Sequence, residues 1–116
     1  ETGSYLMEGL DKIISNKGLD DIFWISGHPS WSFLHIKEQI LYNSFEIKTL
    51  LSQELFKRGV LTLGSHNISS SHTKEDIEKL LRVYNEVLPL IKKNIDNKTL
   101  LEHIEGEILE PLFKVR

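Results

Sequence analysis

Histidines and serines are the residues of this chain whose chemistry could be catalytic, since it contains five histidines and no cysteine. His28, His35, His66, His72 and His103 share no helix turn, none stands in an HExxH frame, and no thiolate can assist them. No metal centre is expected, because zinc-type sites need closely spaced nitrogen and sulfur ligands. His72, beside Thr73 and Lys74, reads as a loop or capping residue at a helix start. The run Ser69-Ser70-Ser71 lacks the GxSxG setting of an activated serine and reads as a hydrogen-bonding connection. Gly27, Gly59 and Gly64 are isolated, so no phosphate-binding glycine pattern exists. What remains is Gly64-Ser65-His66-Asn67, directly after the apolar stretch Val60 to Leu63. A glycine at that point lets the chain turn sharply while polar side chains project from a strand end, and loops on rigid scaffolds often carry binding groups. The alternative is a turn whose Ser and Asn satisfy their own backbone.

The elements that must hold this stretch are legible in the spacing. Leu6, Leu10, Ile13 and Ile14 share a helical face that Asn16-Lys17-Gly18 stops. Ile22 to Ile25 and Trp31 to Ile36 read as two strands of an antiparallel pair, separated by Ser26-Gly27-His28-Pro29-Ser30. Asn43 and Glu46 form a capping box for a helix carrying Ile47, Leu50, Leu51 and Leu55, which ends at Lys57-Arg58-Gly59. Val60 to Leu63 reads as a short buried strand, and Asn67 to Ser69 as a further one.

Thr73 is the expected N-cap of the longest helix, with Glu75 and Asp76 at its positive end. Its stripe of Ile77, Leu80, Leu81, Tyr84, Leu88 and Ile91 meets Pro89, which predicts a kink or a break. A last amphipathic segment through Leu101, Ile104, Ile108 and Leu112 starts from a box of Thr99 and Glu102, weakened by Gly106 and Pro111. The order predicts an α+β fold, a small, mostly antiparallel sheet covered by helices on one side. Phe23, Trp24, Trp31 and Phe33 would be divided between the two faces, leaving large apolar groups on a surface made to sit against something.

Composition narrows the partners. At 116 residues with 40% hydrophobic content, residues 1–116 read as one domain. The formal net charge is −3, with basic and acidic residues interspersed, so no stripe tracks a nucleic-acid backbone. No apolar run reaches bilayer length and no signal-peptide pattern opens the chain, so no membrane is expected. Absence of cysteine fits a cytoplasmic protein. The sequons Asn67-Ile68-Ser69 and Asn97-Lys98-Thr99 read as ordinary loop residues. A start at Glu1 rather than methionine reads as a processed product or an excised piece.

Three stretches together resemble a known family: ETGSYLMEGLDKIISNKGL, SGHPSW and LLSQELFKRGVLTLGSHNISSSHTKEDIEKLLRVYNEVLPLIKKNI. They look like the C-terminal part of class III pyridoxal phosphate (PLP) aminotransferases, especially those similar to glutamate-1-semialdehyde aminomutase. The likeness runs from Glu1 to about Ile95. Its most specific part is Arg58-Gly59-Val60, Gly64 with the polar turn, and Ser71 to Ile77.

The resemblance implies the small C-terminal domain of a fold-type I homodimer, with residues 97–116 as an extra helical tail. The PLP-bearing lysine would lie in a large domain upstream, leaving this chain inactive alone. Gly64, Ser65, His66 and Asn67 would then help enclose a small amino-compound substrate. Gly64 departs from the family, whose aminomutases carry an acidic residue near that position, so an amino-sugar or amino-acid transamination stands beside tetrapyrrole-precursor synthesis. Two other classes stay open: a non-catalytic α+β protein-interaction module, and a small metal or hydrolytic enzyme.

Overall fold

A computed structural model describes residues 2–28, 31–60, 65–67 and 73–106, with the backbone alone at 2, 3, 65 and 67. In chain order the elements are α1 (Thr2–Asn16), β1 (Phe23–His28), β2 (Trp31–Ile36), α2 (Ser44–Lys57), β3 (Ser65–Asn67) and α3 (Lys74–Asp96), followed by a 3-10 turn at Leu101–His103. The three strands form an antiparallel sheet with β2 in the middle. Its register runs from Phe23↔Ile36 to His28↔Trp31 on one side and from Trp31↔Asn67 to Phe33↔Ser65 on the other. The fold is α+β, as the alternation of helical and two-residue periods predicts.

Helices α1 and α2 pack on the sheet, and α3 packs across both of them. The apolar stripes meet where their spacing aims them: Leu6 and Leu10 of α1, Phe23 of β1, Ile47 and Leu50 of α2, and Leu88 and Ile91 of α3 are all fully buried. Burying side chains of this size contributes about 1.5–3 kcal/mol each before conformational entropy is set against it. Gly9 sets the distance between α1 and α3, because a Cβ there would fall 2.6 Å from Leu81 Cδ1.

Both helix caps form as their residues predict. The Asn43 side chain accepts from the Glu46 N–H while a Glu46 carboxylate oxygen accepts from the Asn43 N–H. At α3, Thr73 Oγ1 accepts from the Asp76 N–H at 3.2 Å and Asp76 Oδ2 accepts from the Thr73 N–H at 2.9 Å. The reciprocal partner is thus Asp76, a shorter carboxylate than the usual Glu or Gln of such a box. Thr73→Ala is expected to lower stability by about 1 kcal/mol. Urea denaturation of the two proteins measures it, and an unshifted midpoint would remove the cap from the account.

Four expectations are corrected or bounded. β1 does not end at Ile25 but runs on through Ser26, Gly27 and His28, because each of these pairs across to β2. Pro89 does not break α3, which continues to Asp96. Leu88 and Ile91 on either side are fully buried, so packing holds the turn whose hydrogen bond the proline removes. The segment from Leu101 is a 3-10 turn without a side-chain cap, since the Thr99 hydroxyl donates to Asn94 Oδ1 instead of capping. Over residues 97–106 the expected helical tail is therefore one short turn, and Ile108, Pro111 and Leu112 lie outside the described residues. Val60 is not in a strand, while Leu61 to Leu63 and Ile68 to His72 also lie outside the described residues.

Candidate functional site

Strand alternation gives the sheet two chemically different faces. Phe23, Ser32 and Leu34 point into the helices and are buried, whereas Trp24, Trp31 and Phe33 stay 45%, 54% and 37% exposed on the other side. The antiparallel register brings Trp24 opposite His35, Ser26 opposite Phe33 and His28 opposite Trp31 on that outer face. Neighbouring rings there order one another. Trp24 and His35 stack with centroids 3.9 Å apart and planes 14° from parallel, Phe33 lies 6.2 Å from His35, and Trp31 lies 6.1 Å from Phe33. Ser26 Oγ and His35 Nε2 are hydrogen-bonded at 2.5 Å, which fixes the imidazole beneath the indole.

Trp24, His35, Phe33 and Trp31 thus form one aromatic strip across β1 and β2. Large apolar rings are thereby left on the exposed side of the sheet. Across β1 and β2 the outward positions 24, 26, 28, 31, 33 and 35 hold no lysine, arginine or carboxylate. These six side chains can stack and exclude water; none of them is an amine for a Schiff base.

Of the four residues expected to touch substrate, Ser65, His66 and Asn67 make up β3. Gly64 lies outside the described residues. The backbones of Ser65 and Asn67 occupy β3, at the register positions opposite Phe33 and Trp31. His66, between them, faces the core, where it is 4% exposed. Its Nδ1 lies 3.3 Å from Ser32 Oγ and its Nε2 lies 2.6 Å from the Tyr84 hydroxyl. The ring also meets Tyr84 edge to face, with centroids 5.6 Å apart. The expectation that His66 lies on a polar loop facing substrate is therefore replaced by a strand residue bonded on both sides inside the protein.

Burial pushes the His66 imidazole down to about 4, so it is neutral at physiological pH. A neutral ring satisfies both contacts, with one nitrogen donating and the other accepting. Burial also pushes the Tyr84 phenol upward, so it keeps its proton as a donor. Ser32 and Tyr84 were absent from the expected site. The available signal was Ser32 sharing the inward period of Leu34, a polar side chain where an apolar one is usual.

A second polar cluster joins the end of α2 to α3 and the C-terminal turn. Arg58 bonds Glu54 at 3.0 Å and Glu86 at 3.1 Å, Lys57 bonds Glu105, and Gln53 bonds backbone groups of His103 and Glu105. Burial would raise the Glu54 carboxyl, but hydrogen bonds from Gln53 and Arg58 and the charges of Lys57 and Arg58 hold it below the usual value. These groups satisfy one another and act as a clasp beside a cavity of about 570 Å³ that Glu54, Glu86, Lys93, Asn94 and His103 help line.

Among the described residues no cluster of His, Cys, Asp or Glu could hold a metal ion, and no helix is long and apolar enough to cross a membrane. Comparison with protein-family models, curated proteins and solved structures finds no match for this chain.

Proposed function

We propose that this chain is the C-terminal small domain of a PLP-dependent class III aminotransferase or aminomutase, similar to glutamate-1-semialdehyde aminomutase, and that it shapes the substrate cleft without being catalytic alone. The observation that carries this is the outer face of the sheet. Its strip of Trp24, His35, Phe33 and Trp31 is built for cover, and a large domain of the same polypeptide is the body that the resemblance supplies. The order of motifs from Arg58 to Ile77 supports the same assignment.

In such an enzyme PLP supplies the electron sink for carbanion chemistry, and the protein supplies orientation and a dry site. The sheet face here suits the second task. Flat rings exclude water and present apolar area to a neighbouring domain, and on this reading the cofactor is held by the large domain. The β3 residues Ser65 and Asn67 run along the edge of this face, where a cleft between domains would meet a small amino compound.

The test compares this chain with the full-length gene product. The longer protein is expected to be yellow, with an aldimine band that borohydride removes, and to transaminate an amino donor; this chain alone is expected to be colourless and inactive. Trp31→Asp in the longer protein should loosen the two domains, seen as faster proteolysis between them. A longer product with no lysine-held PLP would overturn the assignment in favour of a non-catalytic protein-interaction module. Covalent capture of PLP by this chain alone would overturn it outright.

A further inference from the structure

Among the described residues β3 spans three positions and is hydrogen-bonded to β2 alone. Three ladder pairs by themselves hold a strand weakly, and strands with few partners are the elements that slip or detach first. Its middle residue, however, is bonded at both ring nitrogens to groups from two other elements. Ser32 belongs to β2 and is fully buried; Tyr84 belongs to α3 and is fully buried as well. Helix α3 packs on α1 and α2, and its hydrogen bond to β3 runs through the side chains of Tyr84 and His66.

We propose that Ser32, His66 and Tyr84 form a latch that fixes β3 against the core, so that Tyr84, remote from the surface, is a positioning residue for the outer edge where Ser65 and Asn67 lie. A one-residue slip of β3 would carry His66 out of reach of Tyr84 and leave two buried polar groups unpaired. The latch therefore specifies register, which apolar side chains of similar size would leave to the backbone ladder. It holds or fails as a structural statement independently of the aminotransferase assignment; its kinetic consequence rests on that assignment.

Tyr84→Phe keeps the buried ring and deletes only the hydroxyl. The expected result is amide hydrogen exchange at Ser65, His66 and Asn67 faster by at least tenfold, with the β1 and β2 amides nearly unchanged. Unchanged exchange in β3 would overturn the latch. Should the variant fail to fold, nitrogen-15 spectra of the unaltered chain decide: a single neutral His66 tautomer with a protected ring proton supports the latch, and a rapidly averaging pair of tautomers overturns it.

In the full-length enzyme, Tyr84→Phe is expected to raise KM for the amino substrate several-fold while kcat and bound PLP stay close to the parent's. Accelerated exchange with unaltered kinetics would uphold the latch and remove β3 from the substrate cleft, which separates the failure of the function from the failure of the latch.

Discussion

Acidification from about pH 7.5 to about pH 4 is expected to strip about 3 kcal/mol from the stability of this chain through one buried histidine. His66 titrates at about 4 in the folded protein, against 6.5 for the ordinary ring, because burial between β2 and α3 disfavours the charged form. Between those two values the unfolded chain binds more protons than the folded one, so stability falls as the pH falls. The contribution is whole above 6.5 and lost as the pH approaches 4. Glu54, held below its ordinary 4.5, loses its contribution only further into acid.

Urea denaturation across this range measures the slope. His66→Gln retains a polar side chain and removes the titration, so its stability should change far less between about pH 6.5 and pH 4.5. Parallel slopes for the two proteins would show that the ring does not carry the effect.

Gly27→Ala is expected to cost about 3 kcal/mol, a large effect for the addition of one methyl group. Gly27 sits at φ +106°, a conformation that residues with a Cβ rarely adopt. The added Cβ would fall 2.6 Å from the Trp31 carbonyl oxygen and 3.0 Å from Ser32 Cα. Both are backbone atoms of the paired strand, so neither can rotate away. Relief requires opening the hairpin at Gly27↔Ser32, which displaces the serine that His66 meets. Reduced freedom of the unfolded chain offsets only about 0.4–1 kcal/mol.

Gly106→Ala is the control, since a Cβ there meets nothing within 4 Å among the described residues and its φ lies outside the left-handed region. Chemical denaturation should separate the two variants clearly, with the control within about 0.5 kcal/mol of the parent. Equal midpoints would mean that the hairpin accommodates the methyl group.

The outer aromatic strip and the latch lie on opposite faces of β2, which ties the two proposals together. Ser32 points inward between Trp31 and Phe33, which point outward, so the latch and the rings are one residue step apart along β2. A partner domain seated on the outer face would feel the position of β3 through this connection.

Much of the scaffold could be read from residue spacing, because helix and strand periods and end caps are decided within a few positions of one another. The stripes of α1, α2 and α3, the box at Asn43, the N-cap at Thr73 and the β1–β2 hairpin are all local patterns of this kind. The α+β class follows from their order. The pattern of Phe23, Trp24, Trp31 and Phe33 likewise announced that bulky rings would be divided between the two faces of a thin sheet, and of the four Phe23 alone turned inward.

Only the folded chain decided which side was left open and which polar residues meet. Ser32 and His66 are 34 positions apart and His66 and Tyr84 are 18 apart, so no local period joins them. A polar stretch such as Ser65-His66-Asn67 reads as a loop because its composition is polar. Strand pairing turned its histidine inward, where two hydrogen bonds offset the loss of water. Pro89 stayed within a helix for a related reason: burial of Leu88 and Ile91 outweighs one missing backbone bond, and burial is a property of the whole packing.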